Sequence, residues 1–341
     1  MKQPLGMLGA IAAGLLAVLA VPADNARAAA PIVLKASHFL PPEHSLARDL
    51  AAWGEELKAK SKGQLELQIF PANQLAPPPK HYDLAASGEA DIAMALHGYT
   101  PGRFPLTEVA QLPFVVREAA ASSARLTELA PQYLAKEHVD VKILLLVAAA
   151  PSKIHLARKR IDSIRDFKGL RLRFSGSAAG ESVRALGGIP IEMPPANVAD
   201  AMRSGELDGT IFPYEAVKTF RIPEVSKYSV EPGFSSVTFF VVMNRKRYES
   251  LPKRLRDLID ATTGPAAARR FGAHLDEQEN IGRKAMIDRG VEIIRLSDAA
   301  ISRMEAATLN YTRRVLNDLE KRGLPANTVY LEMVSANASV R

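Results

Sequence analysis

The stretch of sequence that decides the fold is residues 166–213, DFKGLRLRFSGSAAGESVRALGGIPIEMPPANVADAMRSGELDGTIFP. Apolar and basic side chains alternate over residues 170–174, as they do in a half-buried strand. The pattern then predicts a helix that ends near 187–188, a strand over 189–193, a helix over 196–204 and a strand over 208–212. Strands that alternate with helices in this way predict a parallel sheet whose faces are covered by helices.

A similar order of elements precedes this stretch. The predicted elements there are a strand over 32–37, a helix from about 45 to 63, a strand over 65–69, a helix over 80–87, and strands over 91–95 and 141–147. After it, strands are predicted over 237–243 and 291–296, and long helices over 252–289 and 297–322. The sequence therefore predicts two α/β units followed by long C-terminal helices.

No long linker separates the two units, which predicts two domains that are joined by several crossovers and move about a hinge. The expected division is a signal peptide over 1–28, domain I over 29–150 plus 241–280, domain II over 151–240 plus 281–322, and a C-terminal segment over 323–341.

The first residues predict export from the cytoplasm. Lys2 is followed by an apolar run over 6–21, which is shorter than the roughly 20 residues of a membrane-spanning helix. Ala26-Arg27-Ala28 has the small-residue pattern of a cleavage site, so we expect cleavage after Ala28 and a periplasmic protein. An uncleaved membrane anchor is the alternative. Because the chain has no cysteine, a lipoprotein anchor and disulfides are excluded.

The charge balance is moderately basic, with 44 Lys and Arg against 37 Asp and Glu and a net charge of +7. A positive field draws anions toward a cleft. The basic residues are spread along helices, and no basic–aromatic recognition motif is present, so a nucleic-acid partner is not expected.

Motifs of the common enzyme classes are absent from the sequence. It contains no H-E-x-x-H, no G-x-S-x-G, no phosphate-binding loop and no G-x-G-x-x-G after a strand. Neither catalysis nor a cofactor or metal is expected. Two weak alternatives are a metal held by His38 and His44, and an anion held by the glycine-containing turn over 176–180.

Arg173 is the sharpest candidate for a binding residue. It lies last on its predicted strand and on the same face as Arg171. A guanidinium at the carboxyl end of such a strand can form a bidentate pair with a carboxylate. The alternative is a basic strand that faces solvent.

The order of short motifs along the chain resembles that of the substrate-binding proteins of TRAP transporters, of the four-carbon-dicarboxylate receptor type. The matching segments are GQLELQIFPANQL at 63–75, SGEADIA at 87–93, LPF at 112–114, the stretch 166–213, MN at 243–244 and LP at 251–252. The resemblance covers most of the chain in order. It implies a two-domain periplasmic binding protein fold, and it matches Arg173 to the family's substrate arginine.

The resemblance also implies a function. We expect a receptor that binds a small organic acid in the periplasm, works as a monomer, and delivers the acid to the membrane subunits of a TRAP transporter. Receptors for ABC or tripartite tricarboxylate transporters, and a periplasmic enzyme that processes a carboxylate, are the alternatives.

Departures from the family pattern predict an apolar ligand body. The segment Thr210-Ile211-Phe212-Pro213-Tyr214 replaces polar residues, and Lys153 stands where some members have a second arginine. We therefore expect a carboxylate with an apolar or aromatic body. The candidate site residues are Arg173, Lys153, Phe212, Tyr214, Phe234, Phe39, His97, Tyr99 and Ser175. The alternative is that the aromatic residues among them belong to the core.

Overall fold

The computed structural model describes residues 30–337, so the predicted signal peptide lies outside the described residues. The strands, numbered in chain order, are β1 (Ile32–His38), β2 (Leu65–Phe70), β3 (Ile92–Leu96), β4 (Val141–Ala148), β5 (Ser152–Leu156), β6 (Arg171–Phe174), β7 (Ile189–Glu192), β8 (Gly209–Phe212), β9 (Tyr228–Ser235), β10 (Thr238–Asn244) and β11 (Glu292–Arg295). They form two separate sheets.

The helices surround these sheets. They are α1 (Ser45–Lys60), α2 (His81–Ser87), α3 (Ala119–Leu129), α4 (Ser177–Ala185), α5 (Val198–Ser204), α6 (Tyr214–Val217), α7 (Arg245–Ser250), α8 (Lys253–Thr262), α9 (Gly264–Asp288), α10 (Asp298–Lys321) and α11 (Ala326–Ser335). No helix among the described residues is both long and apolar enough to cross a lipid bilayer.

The first sheet has the strand order β2-β1-β3-β10-β4. β1 runs parallel to β2 and β3, whereas β10 is antiparallel to both of its neighbours. Because β10 follows β5 to β9 of the second sheet in sequence, the chain has to cross back to join the first. Every residue of β3 and of β10 is buried, as expected for strands covered on both faces.

The second sheet has the order β11-β9-β5-β8-β6-β7. β6 lies between β7 and β8 and is parallel to both, which pairs Arg173 with Ile191 on one side and Thr210 on the other. The parallel arrangement brings the carboxyl ends of β6 and β8 to the same edge of the sheet. Arg173 and Phe212 both lie at this edge.

Helix α9 spans the two halves of the molecule. It packs on α3 and β4 beside the first sheet and on α6 beside the second. Two glycines permit these approaches, because a Cβ at Gly272 would lie 2.4 Å from the carbonyl oxygen of Ala119, and one at Gly282 only 1.8 Å from that of Tyr214. Together with the crossings near residues 148–152 and 235–238, α9 connects the two sheets.

The structure confirms the predicted α/β class with two sheets and long C-terminal helices, and it adds elements that the sequence did not predict. These are β5, β9, α3, α6, α7 and α11. Pro232 and Gly233 interrupt the alternating pattern of β9, and the pairing of β5 with β9 shifts its register there. The proposed domain boundaries, including that of the segment 323–341, stay a prediction.

Candidate ligand-binding cleft

A cavity lies where segments that follow the strands of the two sheets face each other. The residues that line it are Phe39, Leu40, His44, Leu96, Tyr99, Ser152, Arg173, Ser175, Ala179, Pro195, Ile211, Phe212, Pro213, Glu215, Ala216, Phe220, Ser235, Val237 and Phe239. Phe39, Tyr99, Arg173, Phe212 and Ser175 are therefore brought together, as the sequence predicted for a binding site. Such an edge is where open α/β sheets place their ligands.

Arg173 is a buried cation in this wall. Its exposed fraction is 2%. Its Nε donates to the carbonyl oxygen of Met193 at 3.0 Å, and its guanidinium carbon lies 4.6 Å from the centre of the Phe212 ring. Among residues 30–337, no carboxylate forms an ion pair with it. Burial lowers the pKa of Arg173 to about 10, which still leaves the side chain charged at neutral pH.

Hydroxyl groups without partners lie in the same wall. The oxygens of Tyr99, Ser175 and Ser235 are buried and make no hydrogen bond to any described residue. Buried polar groups are almost always hydrogen-bonded in native proteins. Tyr99 and Ser175 border, with Arg173, a second small depression beside the cavity, so both lie near the guanidinium. These groups can bind an anion together.

Aromatic rings form the apolar walls. Phe39 packs edge-on against Tyr99 at 5.2 Å between ring centres and stacks with Phe239 at 6.3 Å. On the side of the second sheet, Phe212 stacks with Phe220 at 5.4 Å. Such rings offer surfaces on which a flat apolar group can pack, because aromatic pairs prefer offset-stacked or edge-to-face contacts at these distances.

A buried acid–base pair closes another part of the cavity. Glu215 Oε2 lies 3.4 Å from His44 Nε2 and accepts a hydrogen bond from Ser45 Oγ at 3.3 Å. Burial raises the pKa of Glu215 to about 8, with a further contribution from Glu279, and burial lowers the pKa of His44 to about 3. Both side chains are therefore uncharged near pH 7. The pair was not predicted from the sequence.

The other predicted site residues lie outside the cavity lining. Lys153 pairs with Glu279 and lies 5.0 Å above the ring of Tyr214. The Tyr214 hydroxyl bonds to Ser229 and donates to Glu231 at 3.0 Å. These contacts occupy the polar groups of both residues.

His97 and Phe234 are core residues. His97 Nδ1 bonds to the carbonyl oxygen of Thr238 at 3.0 Å, and its ring packs against Phe104 and His138. Phe234 is 1% exposed and packs in the apolar core of the second sheet. For these two residues, the alternative given in the sequence analysis, a place in the core, agrees with their packing. His44 Nε2 faces Glu215 at 3.4 Å, and within residues 30–337 no group of side chains is placed to hold a metal ion.

Comparison with known proteins decides the family. The family described as bacterial extracellular solute-binding protein, family 7, matches residues 36–318. The chain belongs to this family. The predicted fold and relationship to TRAP solute-binding proteins are thereby confirmed, and members of the family are periplasmic transport proteins that bind solutes.

Three relatives illustrate the range of ligands. A TRAP solute-binding protein from a marine metagenome, specific for aromatic acid ligands and solved with metahydroxyphenylacetate, is 32% identical with a TM-score of 0.86 and covers 90% of this chain and 99% of its own. One from Rhodoferax ferrireducens with copurified benzoate is 27% identical with a TM-score of 0.86, over 90% and 98% of the two chains. The C4-dicarboxylate-binding periplasmic protein DctP of Rhodobacter capsulatus is 25% identical over 83% of this chain and 85% of its own.

Proposed function

We propose that this chain is the receptor of a TRAP transporter for small aromatic monocarboxylates. The observation that carries this proposal is Arg173, a buried cation in an aromatic-lined cavity that forms no ion pair with any described residue. A buried charge without a partner is costly, and a ligand carboxylate removes that cost. In the family comparison, two similar solute-binding proteins are described with aromatic acids, which supports the same class of ligand here.

The carboxylate is proposed to bind Arg173, Tyr99 and Ser175. The two terminal nitrogens of the guanidinium make no hydrogen bond to the described residues, so they are available for a bidentate pair. The hydroxyls of Tyr99 and Ser175 provide the additional donors that a desolvated carboxylate needs.

A second carboxylate has no suitable partner in the cavity. Among the described lining residues, Arg173 is the one side chain charged positively near pH 7, because His44 is neutral and Lys153 is paired with Glu279 elsewhere. Burying an unpaired carboxylate costs several kcal/mol. Aromatic monocarboxylates are therefore expected to bind more tightly than succinate or malate.

Binding is proposed to require movement of the two halves. The cavity volume is about 40 Å³, whereas a cavity of ~150 Å³ accommodates benzene. A ring can enter only if the walls part, which the crossings near 148–152 and 235–238 and the long helix α9 permit as a hinge. The two proposed moving bodies are domain I, residues 29–150 plus 241–280, and domain II, residues 151–240 plus 281–322.

The cellular setting forms part of the proposal. The signal peptide over 1–28 is expected to be removed after Ala28, and the mature monomer delivers its ligand to the membrane subunits. No catalytic role is proposed.

A thermal-shift screen of organic acids, followed by calorimetry, tests the function. A ligand that binds only the folded state raises the melting temperature. Benzoate-class acids are expected to raise it more than succinate, malate or sugar acids at equal concentration. Tighter binding of a dicarboxylate or sugar acid than of every aromatic acid tested would contradict the proposed ligand class.

A further inference from the structure

The carboxyl group of Glu215 is a polar feature of the cavity that the binding of a carboxylate by Arg173 does not use. Glu215 lies in the first turn of α6, the helix that begins directly after Pro213, and its side chain is 2% exposed. It is a lining residue of the cavity. Arg173 bonds to the carbonyl oxygen of Met193, whereas Glu215 contacts Ser45 and His44, so the two side chains have separate partners in the site.

The hydrogen bonds around Glu215 fix which of its oxygens is free. His44 Nδ1 accepts a hydrogen bond from the backbone N–H of Leu46 at 3.2 Å, so the imidazole proton is on Nε2, which faces Glu215 Oε2 at 3.4 Å. Ser45 Oγ donates to the same oxygen at 3.3 Å. No described residue forms a hydrogen bond with Oε1.

The protonation state of Glu215 follows from its surroundings. The charged groups that face it are Glu279 on α9, Asp49 on α1 and Lys153 on β5, with His44 neutral beside it. Burial and the two acidic neighbours outweigh Lys153 and Ser45 and raise the pKa to about 8. Since Oε2 accepts from Ser45 and faces the protonated Nε2 of His44, the neutral carboxyl group carries its proton on Oε1.

We propose that Glu215 selects ligands that carry a neutral oxygen substituent, such as a ring hydroxyl, by donating a hydrogen bond from Oε1 to that oxygen. This inference rests on the proposed function and narrows its ligand class to hydroxylated aromatic acids. A site built to bond a hydroxyl discriminates against the analogue that lacks it, because the protein group is then buried without a partner.

A purely structural role predicts different behaviour. Glu215 also connects α6 to the start of α1, across the two halves of the molecule. If that contact were its whole function, substitution would change the affinity for all aromatic acids by the same factor. A role in selection changes the ratio between hydroxylated and unsubstituted acids.

The test measures dissociation constants of benzoate, 3-hydroxybenzoate and 4-hydroxybenzoate by calorimetry at pH 7. For the unmodified protein, one hydroxybenzoate is expected to bind at least fivefold more tightly than benzoate. Glu215→Gln should keep this ratio, because its amide N–H replaces the donor. Glu215→Met should reduce the ratio to about one while still binding benzoate. Ser45→Ala is the matched control, because it removes a bond to Oε2 but leaves Oε1 in place.

Two results would overturn the inference: the same ratio in Glu215→Met as in the unmodified protein, or no preference for either hydroxybenzoate in the unmodified protein. If Glu215→Met does not fold, the second measurement is proton uptake on binding 3-hydroxybenzoate at pH 8.5. Uptake is expected in the unmodified protein and not in Glu215→Gln. Equal uptake in the two proteins contradicts the role of Glu215. Benzoate binding that survives Arg173→Met would instead refute the proposed function, and that outcome is distinct from an unchanged ratio.

Discussion

The guanidinium of Arg173 lies over the ring of Phe212, with 4.6 Å between its central carbon and the ring centre, while its Nε donates to the carbonyl oxygen of Met193. These two contacts fix the orientation of the cation without neutralising it. The terminal nitrogens are therefore held in position for a ligand before it arrives. Such preorganisation reduces the entropy lost on binding.

Replacement of Arg173 should remove most ligand binding. Arg173→Ala leaves the ligand carboxylate buried without its cation, and we expect a loss of about 3 kcal/mol or more, roughly 150-fold in affinity. Arg173→Lys should recover part of this, since the planar fork is lost but the charge remains. Calorimetry with benzoate measures both values.

Arg171 provides a matched control on the same strand. Its guanidinium forms a bidentate pair with Asp208 at 2.9 and 3.0 Å and also donates to the carbonyl oxygen of Gly205. Because these partners already occupy it, Arg171→Ala should leave the affinity within about twofold. Equal losses in the two alanine variants would contradict the assignment of Arg173.

The sequence was sufficient to predict that Arg173 and Phe212 belong to one site. It was insufficient to predict the contacts of groups whose partners lie far along the chain. Both residues lie at the carboxyl ends of two neighbouring parallel strands, β6 and β8, so local pattern and topology determine their position. Lys153 looked like a second binding cation, but its partner Glu279 is 126 positions away. The contact of Glu215 with Ser45 spans 170 positions. Such pairings depend on tertiary packing, which no local pattern contains.

Phe212 is expected to determine the preference for aromatic bodies. Phe212→Leu removes an aromatic ring from the cavity lining, and the stacking of that ring with an aromatic ligand is worth about 1 kcal/mol. Affinity for benzoate should fall about five- to tenfold, whereas binding of acetate or succinate should change less. Equal losses for aromatic and aliphatic acids in parallel titrations would show that the ring acts only through general packing.

The stability of the protein should fall with rising pH because of Glu215. Its pKa in the folded state is raised from 4.5 to about 8, so the folded state retains a proton that the unfolded chain has released. The contribution is fully present below the unfolded pKa and is lost as pH rises through about 8. Glu215→Gln should show a smaller decrease of melting temperature between pH 5 and pH 9. Parallel pH profiles of the two proteins would argue against a neutral Glu215.

Ligand affinity should show the same dependence on pH. Ionisation of Glu215 above about pH 8 places a negative charge in the wall of a cavity that receives an anion. The affinity for benzoate is therefore expected to decrease from pH 7 to pH 9 in the unmodified protein and to stay nearly constant in Glu215→Gln. Calorimetry at the two pH values, with benzoate ionised at both, makes this comparison.

Closure of the cleft should depend on the absence of a side chain at Gly98. Gly98 follows β3 of the first sheet, and a Cβ there would lie 2.8 Å from the Cα of Gly176, which follows β6 of the second sheet. Since the atom that this Cβ would meet belongs to the backbone, Gly98→Ala can be accommodated only if the two segments move apart. We expect a loss of affinity of roughly tenfold, because part of the binding free energy is then needed to hold a strained closed form.

Gly102→Ala is a control in the same loop, since nothing lies within 4 Å of its Cβ position, although its φ of +78° makes alanine locally strained. Small-angle scattering with and without benzoate should show incomplete compaction in Gly98→Ala and full compaction in the control. Unchanged affinity and compaction in Gly98→Ala would show that closure does not require this contact.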